Sequence, residues 1–380
     1  MNERVLALVE RVVQSSSREQ PADAVLRAEL KREQNLVPEL SRRTVDAVFA
    51  YYRWWGWLES DPATATTTMR ERVVHALALQ TRYETNPESF PAAELIAKVV
   101  PPWVEKHLSV TLPWARALQN QPPLWLRTRP EHRQDLASRL GDCRIPPDSA
   151  LAGALEYTGD RDLFCTAEFH EGAFEVQDLS SQIVGLVSDP KPGECWWDAC
   201  AGEGGKLLHL SILMENRGLI WGSDRAAWRL QRLKRRAARA QVFNYRLAPW
   251  NGGPKLPTKT KFDGILVDAP CSGLGTWHRN PHARWTTTEQ DVSELAEVQK
   301  QLLCCAAPAL KPGGKLVYAV CTLTRAETTE VTEALSQACP DLKPLPLLNP
   351  LRPKEPASPQ LWLRAEEGGN GMFIAAWRNK

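Results

Sequence analysis

The sequence predicts a helical N-terminal third, a small α+β connector and then an α/β domain built on a mostly parallel sheet. Three patterns lead there: apolar residues at helical spacing through the first hundred positions, a proline-rich break around 101–123, and regular strand–helix alternation from 195 to 377. Val5, Leu6, Leu8, Val9, Val12 and Val13 share one helical face, and Pro21 opens a second helix carrying Ala22, Val25, Leu26 and Leu30. Ser41 is expected to cap a third with Val45, Val48, Phe49 and Tyr52; Val73, Val74, Leu77 and Leu79 mark a fourth, and Leu95, Ile96, Val99 and Val100 a fifth. Pro101, Pro102, Pro113, Pro122 and Pro123 then interrupt the periodicity, which places a helical domain at 1–121. Strand-like runs at 124–128 and 173–176 form the connector, 122–173. In the remaining domain, 174–380, strands are expected at 195–201, 219–223, 262–268, 315–321 and 372–377, with helices at 207–214, 226–240, 292–310 and 327–337. Ligands of such sheets sit beyond the carboxyl ends of the strands.

Composition narrows the function classes. With 380 residues, 43% hydrophobic and 24% charged, the chain is neither disordered, collagen-like nor a coiled coil, and it is long enough for two or three domains. The formal charge is only +2, so a polyanion would have to be met by a local patch. Nine cysteines lie without metal-ligand spacing, and no run approaches the roughly 20 apolar residues that span a bilayer. A cytoplasmic, reduced monomer with no metal and no membrane contact is expected.

Ala199, Cys200, Ala201, Gly202, Glu203, Gly204, Gly205 and Lys206 follow Asp198 in a glycine-rich strand-to-helix turn. Glycines there let backbone amides approach a ligand, yet the spacing is neither the nucleotide P-loop nor the dinucleotide fingerprint, and a plain tight turn stays open. Asp224 ends the next strand, where it would hold a ribose or cap the following helix. That helix carries Arg225, Arg229, Arg232, Lys234, Arg235, Arg236 and Arg239 with no acidic residue, a solvated face or a phosphate-contacting one. Trp277, His278, Arg279, Asn280, His282, Arg284 and Trp285 mix base-stacking and phosphate-binding types in a way that suits a single-stranded target. Asp268 and Cys271 lie at the end of one strand, and Cys321 at the end of the next. A lone strand-end cysteine is usually a buried filler; two converging on the ligand edge suggest chemistry.

The segment from Asp268 through Cys271 to Gly273, the strand ending in Cys321 with Thr322 and Leu323, and the glycine turn from Asp198 to Lys206 together resemble RNA cytosine-5 methyltransferases of the Sun and Nop type. Gln177, Asp178, the stretch from Arg279 to Trp285 and the closing Gly371 to Ala375 add to the match, which covers roughly 174–380. The helical third resembles the NusB-like domain that bacterial ribosomal RNA members place before the catalytic domain. The resemblance implies a Rossmann-like domain using S-adenosylmethionine to methylate cytosine in RNA, most naturally ribosomal RNA. It implies Cys321 as the nucleophile at carbon 6, Cys271 as the residue that helps release the adduct, and Asp268 as the contact to ring nitrogen 3 and the exocyclic amine. Residues 199–206, Asp224, Arg229 and Asp268 would hold the donor, and Arg279, Asn280, Arg284 and Trp285 the RNA. The chain departs from the family where Gly202 and Glu203 replace Ala-Pro, where 241–262 contains no aspartate for the adenine, and where His282 and Thr328 replace an acidic residue and an asparagine. An RNA-binding assembly factor with a decayed donor site therefore stays open beside the enzyme. DNA cytosine methylation, with Cys271 as nucleophile, is the less favoured third reading.

Overall fold

The computed structural model describes residues 2–33, 37–60, 67–147 and 151–380. The chain divides into two compact units, one formed by Met1–Pro122 and Gly273–Asp291, the other by Pro123–Ser272 and Val292–Lys380.

The first unit is helical. Its described helices include Glu3–Ser15, Ala22–Arg32, Pro38–Arg53, Met69–Thr85, Ala92–Lys98 and Leu112–Gln119. Asn2 caps the first by accepting the Arg4 N–H, and Thr68 and Glu71 form a reciprocal capping box on Met69–Thr85. The third helix begins earlier than expected: Pro38, with its pre-set φ, occupies the first turn and leaves Ser41 inside. Val5, Leu8, Val9 and Val12 are fully buried, whereas Val74, read as a core position, is 49% exposed. Trp54 packs against Trp57, Tyr83 and Phe90, its indole N–H donating to Gln80 Oε1 at 2.9 Å.

The segment Gly273–Asp291, expected inside the catalytic domain, belongs to this helical unit. Trp277 is fully buried and meets Trp103 edge-on, and the short helix Pro281–Thr286 packs its Arg284 and Trp285 inward.

In the second unit, β1 (Leu124–Arg127), β2 (Cys143–Arg144), β3 (Ala154–Tyr157) and β4 (Glu175–Val176) form an antiparallel sheet in the order β2-β3-β1-β4. Leu126, Leu136, Leu140, Leu155 and Phe174 give it a core of its own. The large sheet comprises β5 (Cys195–Asp198), β6 (Leu219–Gly222), β7 (Tyr245–Leu247), β8 (Phe262–Asp268), β9 (Leu310–Val320), β10 (Leu342–Pro344), β11 (Gln360–Leu363) and β12 (Met372–Asn379). The order is β10-β12-β9-β8-β5-β6-β7, with β11 also on β12; β5 to β9 run parallel and β12 antiparallel to β9.

The strands read as continuous apolar runs because both faces are covered. Trp196, Leu266 and Val317 face one apolar layer with Leu207 and Leu210; Trp197, Ile265, Leu316 and Tyr318 face the other with Leu303. Gly264 is required, since a Cβ there would lie 2.3 Å from the Trp196 ring. This is a doubly wound, Rossmann-like sheet. The chain leaves β5 toward β6 and β7 and returns to β8 on its other side, so the carboxyl ends of β5 and β8 flank the switch point where a ligand crevice forms.

Candidate active site

The turn after β5 is shaped by two left-handed glycines, Gly202 at φ 54° and Gly204 at φ 91°, before the helix Gly205–Leu213. A Cβ on Gly204 would strike the Leu233 side chain at 2.6 Å; one on Gly202 would meet nothing within 4 Å, so the backbone there is open. Asp224 holds the turn against the end of β6: its Oδ2 accepts the Gly202 N–H at 3.1 Å and its Oδ1 the Ala226 N–H at 2.7 Å. Asp224 thus ties the turn to the residues that open the next helix without capping it, since Ala226 is the N-cap residue and has no side-chain cap bond. Arg229 lies 3.8 Å from that carboxylate, and Glu203 pairs with Arg232 at 2.7 Å. Ala199 and Ala201 are buried in opposite apolar layers.

Beneath the turn, charge is concentrated. Lys206 Nζ donates to Asp268 Oδ2 at 2.7 Å. Burial works against the Lys206 ammonium, but Asp268, together with Cys321 and Asp198, more than offsets it and raises its pKa above the ordinary lysine value. Asp198, at the end of β5, is buried with neither oxygen in a well-formed hydrogen bond. That burial and the neighbouring Asp268 push it up to about 8. Burial and the same two carboxylates push the Cys200 thiol well above its usual range.

Cys271, beyond β8, and Cys321, beyond β9, bring their sulfurs to 3.3 Å, a hydrogen-bonding and not a covalent separation. Sequence reasoning missed what holds these two loops. Glu327, fully buried, accepts the Ser272 N–H at 2.8 Å and Gln299 Nε2 at 3.0 Å on one oxygen. Its other oxygen accepts the hydroxyls of Ser272 at 2.6 Å, Thr324 at 2.8 Å and Thr322 at 3.1 Å. Gln299 also donates to the Pro270 carbonyl at 2.9 Å, and Tyr318 OH donates to Gln299 Oε1 at 2.9 Å. A signal for Gln299 existed: it interrupts the otherwise apolar buried stripe Val292, Ala296, Leu303, Ala306 of its helix.

Of the four residues expected to meet RNA, Arg284 is fully buried. Its guanidinium donates to the carbonyls of Val99 at 3.0 Å and Leu118 at 2.8 Å and to Gln119 Oε1 at 3.2 Å; burial, then Arg53, lowers its pKa to about 9. Trp285 donates its indole N–H to the Tyr52 carbonyl at 2.7 Å, and the Asn280 side chain accepts the Ala283 N–H. Arg284 therefore holds the helical unit together instead of offering an RNA surface; Arg279, Asn280 and Trp285 are half-buried.

The 16S rRNA methyltransferase RsmB/F family matches residues 186–378, just over half of the chain. The chain is 34% identical over 292 residues to ribosomal RNA small subunit methyltransferase B of Salmonella typhi, covering 72% of this chain and 65% of that one. It is 41% identical over 174 residues to the probable ribosomal RNA small subunit methyltransferase B of Synechocystis sp., covering 44% and 38%. The chain thus spans between about two fifths and two thirds of the length of the curated relatives it matches. Among solved structures, a methyltransferase homolog protein from Pyrococcus horikoshii superposes with a TM-score of 0.58 at 29% identity, over 71% of this chain and 90% of that one. The crystal structure of PH0851 shares the fold at a TM-score of 0.80 and 22% identity, over 98% of both chains. With the glycine turn, the paired cysteines and the doubly wound sheet in place, the chain belongs to the 16S rRNA methyltransferase RsmB/F family.

Proposed function

We propose that this chain methylates carbon 5 of cytosine in RNA, ribosomal RNA being the class its relatives' names favour, with S-adenosylmethionine as donor. The approach of two thiol sulfurs to 3.3 Å beside the Lys206–Asp268 pair carries this reading. The donor set fits: Asp198, Asp224 and Asp268 converge on the turn, with Lys206 on Asp268 and Arg229 3.8 Å from Asp224, and Asp198, pushed up to about 8, has a proton to give up when a sulfonium cation arrives. The open backbone at Gly202 leaves room for a close ligand approach, and Asp224 retains lone pairs for ribose hydroxyls. When bound, the donor supplies a methyl group made electrophilic by its sulfonium.

Carbon 5 of cytosine is a weak nucleophile, so the chain must first raise its electron density. Cys321, its proton lost to solvent base, bonds to carbon 6 and drives an electron pair toward carbon 5 and ring nitrogen 3. Asp268, pre-positioned by Lys206, accepts the exocyclic amine N–H, and a proton passed from the Lys206–Asp268 pair to ring nitrogen 3 takes up the negative charge that develops there. After carbon 5 takes the methyl group, Cys271, as the thiolate once its own proton has passed to solvent, takes the carbon 5 proton; the double bond between carbons 5 and 6 re-forms, ring nitrogen 3 gives back its proton and Cys321 leaves as a thiolate. Glu327 keeps the two thiol loops in register throughout.

Incubation with labelled donor and RNA should label cytosine. Cys321→Ala should abolish incorporation, and a fully active variant would refute the nucleophile; Cys271→Ala should accumulate a covalent protein–RNA complex. One feature favours the second reading, an assembly factor with a decayed donor site: Glu203 stands in the turn and is engaged by Arg232. Calorimetric titration separates them, since absence of donor binding at millimolar concentration with RNA binding intact would select the assembly factor.

A further inference from the structure

We propose that the outer face of the helix Ala227–Arg239 is a platform for a single RNA strand, with Trp228 as the stacking surface and its arginine neighbours as the phosphate contacts. This rests on the reading of the chain as acting on RNA and names a part of the protein that would hold it.

The helix has no acidic residue, yet its cations are not equivalent. Arg236 and Arg239 turn inward to Glu175, which is 4% exposed, with contacts of 2.7 and 2.5 Å, and so serve packing. Arg225, Lys234 and Arg235 are exposed and form no ion pair among the described residues. Between these groups sits Trp228, 54% exposed, a large apolar surface left in water where an arginine or glutamine would cost nothing. The guanidinium carbons of Arg229 and Arg232 lie 5.4 and 4.9 Å from its ring centroid. Trp228, Arg232 and Arg235 recur at four- and three-residue spacing, so they share one face.

An indole flanked by guanidiniums is the combination that binds an unpaired nucleotide, the base on the ring and the adjacent phosphates on the cations. A duplex would offer the ring only paired, stacked bases, and an acidic peptide would neutralise the cations without using the plane. Arg229 also lies 3.8 Å from Asp224, and Arg232 2.7 Å from Glu203. The platform therefore adjoins the donor turn, where a strand carrying the target base into the crevice would leave it.

Fluorescence anisotropy of a labelled 12-nucleotide single strand and of a blunt duplex, over a series of salt concentrations and without donor, tests this on the full chain. Trp228→Ala should weaken single-strand binding about tenfold, leave the salt slope unchanged and spare the duplex, and Trp228→Phe should restore most of the loss. The double variant Arg225→Ala/Arg235→Ala should flatten the single-strand slope of log affinity against log salt by about 1.4. Unchanged single-strand affinity in Trp228→Ala overturns the platform, as does displacement of the strand by a polyglutamate peptide as effectively as by unlabelled RNA. Trp228-dependent binding by a wild-type protein that transfers no methyl group would overturn the proposed activity and leave the platform standing.

Discussion

Replacing Glu327 by glutamine isolates what positions the two thiols. The native carboxylate is fully buried, meets no cation among the described residues and is held by five donors: one backbone N–H, one amide and three hydroxyls. If the new amide oxygen takes the place facing Ser272 N and Gln299, its NH2 confronts the hydroxyls of Ser272, Thr322 and Thr324. Those hydroxyls must rotate to accept, and their own protons lose a partner. Hydrogen bonds to a charged group contribute about 1.5–3 kcal/mol each and neutral ones about 1, so weakening three, less the relief of no longer burying a charge, should cost roughly 2–3 kcal/mol. Alanine, which leaves every donor unpaired, should cost more. Urea unfolding followed by tryptophan fluorescence reads the loss as a lower midpoint at constant slope. Alkylation of Cys271 and Cys321, mapped by mass spectrometry, reads the loosened loops as faster modification while the remaining cysteines keep their rates. A glutamine variant within about 0.5 kcal/mol of wild type and with unchanged alkylation would refute the positioning role.

Arg284→Ala should destabilise the helical unit by about 3 kcal/mol, because it strips donors from the Val99 and Leu118 carbonyls and from Gln119, and thermal unfolding will register it even without RNA. Asp198 has a folded pKa raised to about 8 from 3.8 by burial, then Asp268, so its contribution to stability is fully present below about pH 4 and is lost as pH rises toward 8. Asp198→Asn should therefore gain on wild type by up to about 1.4 kcal/mol per pH unit across that window, measured by unfolding at pH 5 and pH 8; parallel curves would contradict the raised pKa of the buried carboxyl. Binding a cationic donor should draw Asp198 back toward ionisation, seen calorimetrically at pH 7 as proton release that disappears in the asparagine variant. Lys206→Ala leaves Asp268 beside Asp198 without a counter-charge; it should lower stability by about 3 kcal/mol in thermal unfolding, whereas Lys206→Arg should retain part of that stability.

What was legible in the sequence follows from which interactions are local. β5, β6, β8 and β9 stood out because strands buried on both faces carry unbroken apolar runs, and the turn after β5 stood out because only glycine accepts the φ values at 202 and 204. β7, β10 and β11 were not visible: each is three or four residues at or near a sheet edge, too short for a periodicity to form. The misreading of Arg284 has a different cause. Arginine and tryptophan in a short stretch look the same whether their partners are phosphates and bases or the free carbonyls of neighbouring helices, and only the tertiary structure says which acceptor is present. The role of Glu327 was hidden for the same reason, since all five of its donors come from residues that look unremarkable in sequence: a serine, two threonines and a glutamine. The common element is that burial turns ordinary polar side chains into specific ones. At Arg284 it consumes the cation and removes it from any surface; at Asp198 it leaves a carboxyl beside Lys206 and Asp268 whose oxygens make no well-formed hydrogen bond among the described residues. A buried group whose donors and acceptors are all met within the protein holds structure, and one left unmet at the carboxyl edge of the sheet is where a ligand has something to supply.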